Sequence, residues 1–132
     1  MEMKIVFGSG KKVDAHFGGF TIMTDQSPEG GGEGSAPEPF DLFLASLGTC
    51  AGIYVLSFCQ NRNLPSDGIT LVQNAQRNSE TGMIEKLNID IQIPESFPEK
   101  YHAALVRSAE QCTVKKHVSS GLPEFSITAS VL

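Results

Sequence analysis

The chain has 132 residues, which is the length of one domain, and we expect a single domain over residues 1–132. Hydrophobic residues make up 40% of it, an ordinary globular fraction that excludes extensive disorder. Because the net charge is −5 and both nucleic acids and anionic membranes need a basic face, we expect neither as a partner.

The first third of the chain has the pattern of short β-strands. Residues 3–7 are apolar with one lysine, and residues 13–17 alternate apolar and polar side chains as a half-buried strand does. The pair Gly18-Gly19 predicts a tight turn into a third strand over residues 20–24. Together these segments predict an antiparallel meander.

A loop rich in glycine, proline and glutamate follows at residues 28–39. Glycine loses more conformational freedom on ordering than any other residue, so we expect this loop to be mobile. It lacks the Gly-Lys-Ser/Thr ending of a phosphate-binding loop. It is either a plain linker between the strands and the next helix or a flexible flap over a site.

The segment from Phe40 to about Asn61 predicts a long helix, since it is apolar and too long for one strand. Pro39 suits its first turn, and Asp41 suits its positive start. Residues 42–59 carry no charge and reach the length of a membrane span, but small and polar residues dilute the apolar run, so we expect no span. A helix that is apolar all round is buried all round, and we expect a second copy to cover it in a homodimer. A stripe of small residues would allow close helix approach: Ala45, Gly48 and Gly52.

The second half of the chain predicts a hairpin, a helix and a last strand. The helix is expected to start at the capping-box sequence Ser96-x-x-Glu99 and to end near Cys112. This order of elements indicates an α+β fold with a mostly antiparallel sheet. The expected strands alternate apolar and polar side chains over residues 69–77, 84–93 and 125–131.

The three cysteines carry most of the reactive chemistry of this sequence. Three thiols cannot all pair within one chain, and a sparse odd number fits a reducing compartment better than a secreted disulfide scaffold. Residues 1–12 also lack the apolar stretch of a signal peptide, so we expect a cytoplasmic protein. Cys50 and Cys59 are nine residues apart and point to opposite faces of one helix, so Cys112 could meet either of them.

Several roles are open to these thiols. A buried cysteine often only packs as a small hydrophobe. No Cys-x-x-Cys sequence or histidine spacing suggests a metal site, and we expect neither a metal nor a cofactor. His117 could act as the base of a Cys-His hydrolase, although no local signature accompanies it. Redox chemistry needs one thiolate with a lowered pKa and a second thiol within reach.

Two stretches resemble motifs of the OsmC/Ohr family of thiol-dependent hydroperoxide reductases. Residues 39–50 read Pro-Phe-Asp-Leu-Phe-Leu-Ala-Ser-Leu-Gly-Thr-Cys, similar to the family's Pro-x-Glu/Asp-Leu run that ends at a cysteine. Residues 109–115 read Ala-Glu-Gln-Cys-Thr-Val-Lys, similar to its second Cys-x-Val/Ile motif. The resemblance implies an OsmC-like fold, in which mostly antiparallel sheets wrap a long buried central helix in an intertwined homodimer.

The resemblance also implies a thiol-dependent peroxidase that reduces organic hydroperoxides. In such members the cysteine matching Cys50 attacks the peroxide and becomes a sulfenic acid, which the cysteine matching Cys112 converts to a disulfide. A dithiol donor then reduces the enzyme. Asp41 matches the second acidic position of other members and would polarise or position the site, while Cys59 would only pack.

Two features of the strongest peroxidases in that family are missing. Phe40 stands ten residues before Cys50, where many members carry a glutamate, and no arginine precedes Arg62. A lysine does not replace a bidentate arginine, and His16 in the second strand is either a substitute thiolate partner or an ordinary strand histidine. The alternative hypothesis is a non-peroxidatic relative that binds an apolar or electrophilic small molecule in the dimer cleft.

Overall fold

The computed structural model describes residues 1–131 of the chain. It divides into two compact units, Met1–Ser46 and a second unit from Leu47 onward, so the expected single domain over residues 1–132 stays a prediction. Single turns of 3₁₀-helix occur at Pro28–Gly30 and Glu99–Tyr101. The longer elements are β1 (Lys4–Phe7), β2 (Val13–Phe17), β3 (Phe20–Ile22), α1 (Pro39–Asn61), β4 (Thr70–Arg77), β5 (Ile84–Gln92), α2 (His102–Ala109) and α3 (Thr113–Ser120).

The first unit contains the predicted antiparallel meander, with β2 between β1 and β3. Phe17 lies opposite Phe20 across the turn. Gly18 and Gly19 form this turn with positive φ angles of 53° and 82°, which glycine adopts without the steric cost of a side chain. β3 ends at Ile22, two residues before the end that the sequence predicts.

One buried carboxylate organises the glycine-rich loop after this meander. Asp25 is 1% exposed and accepts hydrogen bonds from the backbone N–H groups of Gln26, Glu33 and Ser35 and from the Ser35 hydroxyl. The hydrogen bonds from Ser35 contribute most to lowering the pKa of Asp25 to about 2. Gly32 is required here, because a Cβ would lie 2.1 Å from the Gln26 carbonyl oxygen. The loop that the sequence predicts to be mobile is therefore held by hydrogen bonds, and its role as a flap stays a prediction.

The long helix α1 starts and ends as the sequence predicts. Pro39 occupies the first position, and the carboxylate of Asp41 accepts a hydrogen bond of 3.1 Å from the backbone N–H of Glu38. The helix ends at Asn61, before Asn63 with a positive φ of 52°. This agreement follows from strong local signals at both ends of one uninterrupted apolar run.

The sequence predicts burial of α1 on all sides, but within the single chain α1 is buried along one stripe. The stripe repeats every three or four residues, as one face of a helix does: Leu47, Ala51, Val55, Phe58 and Cys59. Large apolar side chains elsewhere on the helix stay exposed: Phe40, Phe43, Ile53 and Leu56. One chain of this size does not supply enough surface to cover the remaining faces.

The length and composition of α1 would also allow it to cross a membrane, with a mean hydropathy of 1.9 over its most apolar stretch. The core helix of a soluble protein can have the same length and the same apolar composition. Val55, Phe58 and Cys59 belong to the apolar core described next, which is the environment of such a core helix.

The core of the second unit lies between α1, the β4–β5 hairpin and α2. β4 and β5 pair antiparallel from Thr70 opposite Gln92 to the turn at residues 78–82, as the sequence predicts. Partly buried hairpin residues such as Leu71 and Ile91 pack on the buried cluster. That cluster consists of Val55, Phe58, Cys59, Phe97 and Leu105.

The helical region after the hairpin differs from its prediction in two ways. The capping box at Ser96 does not form, since the first turn begins after Pro98, which has no side-chain cap. The helix also stops at Ala109, and a separate eight-residue helix, α3, follows. The cap of α3 is the sulfur of Cys112, which accepts a hydrogen bond of 3.3 Å from Lys115 N. Cysteine is not among the preferred capping residues, so this start has no ordinary sequence signal.

The last strand that the sequence predicts, at residues 125–131, does not form. Residues 121–131 have no helix or strand structure. A strand needs a neighbour to accept its backbone hydrogen bonds, and neither sheet of this chain pairs with this segment. Its apolar residues therefore stay exposed, among them Phe125, Ile127 and Val131.

Candidate active site

Two of the three cysteines interact with each other in the second unit. Cys50 is half-buried in α1, and Cys112 is 2% exposed in the turn between α2 and α3. The Cys112 side chain interacts with Cys50 and lowers the pKa of Cys50. The Cys112 Sγ also lies 3.8 Å from the Leu47 carbonyl oxygen, which accepts the thiol proton. Of the two pairings open to Cys112 from the sequence, the structure brings it to Cys50.

The first turn of α3 faces the sulfur of Cys50. The backbone N–H of Val114 lowers the pKa of Cys50 most, and Cys112 and the N–H of Thr113 lower it further, against the opposing effect of burial. Unpaired N–H groups at a helix start carry partial positive charge and favour an anion. The thiolate of Cys50 is therefore stabilised mainly by main-chain amides, which no motif in the sequence indicates.

Cys112 has the opposite electrostatic environment. Its burial raises the pKa most, and the neighbouring Cys50 thiolate raises it further, while the N–H of Lys115 acts against both. Cys50 is thus the thiol that ionises first, and Cys112 is the thiol that keeps its proton. A pair divided in this way can supply a nucleophile and a protonated thiol from adjacent positions.

Cys59 lies at the other end of α1, in the apolar core. It is 0% exposed, and desolvation by burial raises its pKa. The core around it contains Phe58, Phe97 and Leu105. Such a wall supplies no donor for a thiolate, which fits the packing role expected for Cys59.

Tyr54 forms two hydrogen bonds that join α1 to α2 and α3, and no motif in the sequence indicates them. The Tyr54 hydroxyl lies 3.0 Å from the Thr113 hydroxyl, and the Ser108 hydroxyl donates to the Tyr54 carbonyl oxygen at 3.0 Å. Tyr54 follows Cys50 by four residues, which is one helical turn, so the two share a face of α1. This spacing is the one sequence signal that could have indicated Tyr54.

The other candidates from the sequence have local partners. Asp41 stands nine residues before Cys50 in α1, and its carboxylate binds the backbone N–H of Glu38. His16 Nδ1 lies 3.0 Å from the Thr21 hydroxyl on the neighbouring strand. His117 Nδ1 donates to the Thr113 carbonyl oxygen at 2.8 Å. Within residues 1–131, no group of three or more His, Cys, Asp or Glu side chains could hold a metal ion.

Solved structures with the same fold come from several bacteria. A Psychrobacter arcticus 273-4 protein, described as a candidate osmotic stress induced and detoxification response protein, has a TM-score of 0.73 at 21% identity, covering 86% of this chain and 85% of that one. An organic hydroperoxide resistance protein OsmC of Legionella pneumophila has a TM-score of 0.55 at 21% identity, covering 89% and 87%. A candidate organic hydroperoxide resistance protein of Vibrio cholerae O1, with captopril in one of its active sites, has a TM-score of 0.58 at 18% identity, covering 89% and 84%.

These likenesses establish the fold, and a comparison with family models establishes the family. No curated protein sequence matches the chain. The family model described as "OsmC-like protein" matches residues 32–125, which include α1, both motif cysteines and the amides of α3. This match extends over more than half of the sequence. The chain therefore belongs to the OsmC-like protein family.

Proposed function

We propose that this OsmC-like protein is a thiol-dependent peroxidase that reduces organic hydroperoxides, with Cys50 as the attacking thiol and Cys112 as the resolving thiol. The observation that carries the proposal is the contact between two thiols whose pKa values shift in opposite directions. A peroxidase of this type needs one thiol that ionises easily and a second thiol close enough to form a disulfide with it. The names of the Legionella and Vibrio neighbours support the substrate class.

The proposed reaction has three steps: attack on the hydroperoxide, formation of a disulfide, and reduction of that disulfide. The Cys50 thiolate attacks the terminal oxygen of the hydroperoxide, the O–O bond breaks, and the products are a Cys50 sulfenic acid and an alkoxide that takes up a proton to become an alcohol. The Cys112 thiol then displaces hydroxide from the sulfenic sulfur, which forms the Cys50–Cys112 disulfide and water. A dithiol donor reduces this disulfide by exchange and is itself oxidised to a disulfide.

Asp41 has a positioning role in this proposal. Its carboxylate holds the Glu38 N–H at the start of α1, where a negative charge also favours the positive end of the helix. The same helix carries Cys50 two and a half turns later. Asp41 would thus fix the beginning of the element that presents the attacking thiol.

We also propose that the working form is a homodimer in a reducing, cytoplasmic compartment. The exposed apolar side chains of α1, including Phe43 at 38% and Ile53 at 53% exposure, need a cover in water. Residues 125–131 have the alternation of a strand but lack a neighbour in their own chain. A second copy could supply both. Light scattering should give twice the mass of one chain, and a stable monomer would contradict this part of the proposal.

The alternative function is binding of an apolar or electrophilic small molecule without peroxide turnover. It is favoured by the captopril in an active site of the Vibrio neighbour. The thiolate of Cys50 here is stabilised by amides and Cys112, with no arginine or carboxylate among its interactions with the described residues. In this case Cys50 would react with electrophiles, but peroxide would not be consumed catalytically.

The test compares peroxide consumption by wild type, Cys50→Ser and Cys59→Ala in the presence of a dithiol. We expect loss of at least about 100-fold in Cys50→Ser, because a hydroxyl is a far weaker nucleophile than a thiolate. Cys59→Ala is the matched control, a second thiol on the same helix, and should consume cumene hydroperoxide as fast as wild type. Equal consumption by Cys50→Ser and wild type would overturn the proposal. Alkylation of Cys50 without peroxide turnover in wild type would favour the alternative.

A further inference from the structure

Three contacts fasten the turn between α2 and α3 to the part of α1 that carries Cys50. The Cys112 thiol donates to the Leu47 carbonyl oxygen, and the Ser108 hydroxyl donates to the Tyr54 carbonyl oxygen. The third contact joins the hydroxyls of Tyr54 and Thr113. Cys50 lies between Leu47 and Tyr54 in the sequence of α1, so these contacts fall on both sides of the thiol.

The third contact differs from the contact of Ser108 because Thr113 also provides a main-chain group that interacts with Cys50. Thr113 is the first residue of α3, and its own backbone N–H is one of two main-chain groups that lower the pKa of Cys50. The other is the backbone N–H of Val114. A hydrogen bond that fixes the Thr113 side chain therefore fixes the direction in which both amides point.

We propose that Tyr54 is a positioning residue for the Cys50 thiolate, acting through its hydroxyl on Thr113 and through the first turn of α3. This inference rests on the proposed role of Cys50 as the attacking thiol. Tyr54 is half-buried one helical turn after Cys50, so the two share a face of α1, and its hydroxyl reaches Thr113 of α3. In this arrangement, the Cys50 thiolate is stabilised by the start of α3, which Tyr54 holds in place. A charged side chain could otherwise have this role.

Loss of the Tyr54 hydroxyl should change the ionisation of Cys50. The ionisable groups of this turn and of α3 are Glu110, Cys112, Lys115, Lys116 and His117, and Tyr54 joins them from α1. Of these, Cys112 is the group that interacts with Cys50. Removal of the Tyr54 hydroxyl leaves Cys112 in place but no longer fixes the backbone N–H groups of Thr113 and Val114. The pKa of Cys50 should therefore rise while its partner thiol is unchanged.

The experiment measures the alkylation rate of Cys50 by iodoacetamide from about pH 6 to about pH 10, resolved by peptide mass spectrometry. We expect Tyr54→Phe to raise the pKa of Cys50 by roughly half a unit, which is about a threefold smaller thiolate fraction at neutral pH. Ser108→Ala is the matched control, because it removes a hydrogen bond of the same length between α1 and the same segment without touching Thr113. It should lower Tm as much as Tyr54→Phe and leave the pKa of Cys50 in place.

A second set of variants separates positioning from general loosening. Thr113→Val should shift the pKa of Cys50 as Tyr54→Phe does, the double variant should shift it no further, and Thr113→Ser should behave as wild type. An unchanged pKa in Tyr54→Phe, an equal shift in Ser108→Ala, or additive shifts in the double variant would each overturn the inference. These readings do not depend on peroxide turnover, so failure of the proposed function and failure of this inference are distinguishable.

Discussion

Two regions of the same helix hold the same side chain in opposite environments. Near the middle of α1, Cys50 is half-buried and faces the amides at the start of α3, and its pKa falls. Near the end of α1, Cys59 is enclosed by apolar side chains, and its pKa rises. Both thiols lie on one rigid element, so the difference comes from what packs against each.

The groups that lower the pKa of Cys50 are supplied largely by another element, α3. α1 itself gives both thiols the same helical backbone. Only the thiol beside α3 meets unpaired N–H groups, since the first N–H groups of a helix have no partner within it. A short helix without an ordinary sequence signal, α3, therefore distinguishes the environment of Cys50 from that of Cys59.

After the loss expected in Cys50→Ser, the largest effect comes from removing the partner thiol, Cys112. Cys112→Ser should lower catalytic peroxide turnover with a dithiol by about tenfold or more, because the sulfenic acid at Cys50 loses its resolving thiol. The first attack on peroxide should stay within about threefold of wild type, since the amides of α3 remain. Dimedone labelling should trap the sulfenic acid at Cys50 in this variant. Absence of label after peroxide consumption would contradict the assignment of Cys50.

The next effect tests whether Cys59 only packs. Cys59→Ala should lower the free energy of unfolding by about 1–2 kcal/mol, because a small cavity opens in the core. Cys59→Ser should cost about 1–3 kcal/mol, because it buries a hydroxyl among apolar side chains. Urea unfolding measures both, and the alkylation rate of Cys50 should be the same in both variants. A slower Cys50 in Cys59→Ala would mean that the two regions of α1 are not independent.

The opposite pKa shifts predict opposite slopes of stability against pH. A thiol in the unfolded chain titrates near 9.0. Cys50 titrates lower in the folded chain, so between its folded pKa and about 9 the unfolded chain binds more protons and stability rises with pH. Cys59 titrates higher in the folded chain, so above about 9 the folded chain binds more protons and stability falls.

Two variants separate the contributions of Cys50 and Cys59 to the dependence of stability on pH. Urea unfolding of reduced protein at a series of pH values should lose the rise below about pH 9 in Cys50→Ser. The fall above about pH 9 should become shallower in Cys59→Ala, where Cys112 alone still titrates high. Equal slopes in the two variants would show that the two thiols have similar environments after all.

The sequence predicts the frame of this fold better than its site. The strands of the meander and hairpin and the whole of α1 follow from alternation, turn glycines and one long apolar run, which are local signals. The start of α3 depends on a cysteine sulfur as its cap, and the order of the glycine-rich loop depends on Asp25 folding back on residues up to ten positions away. Residues 125–131 have the alternation of a strand, but no strand of the described chain pairs with them. Long-range partners of this kind leave no periodic pattern, so the thiol pair could be proposed from motifs, but its amide environment could not.

The smallest expected effect concerns two glycines that flank Cys50 on α1. A Cβ at Gly48 would lie 2.9 Å from the Gln73 side-chain oxygen, whereas a Cβ at Gly52 would meet nothing within 4 Å in this chain. Alanine favours a helix over glycine by about 0.8–1.0 kcal/mol. Gly52→Ala should therefore raise the free energy of unfolding by about that amount, and Gly48→Ala by less, because the Gln73 amide has to move. Thermal unfolding of the two variants measures the difference. A loss of stability in Gly52→Ala would instead place the second chain of the proposed homodimer against the middle of the helix, where this chain leaves the space open.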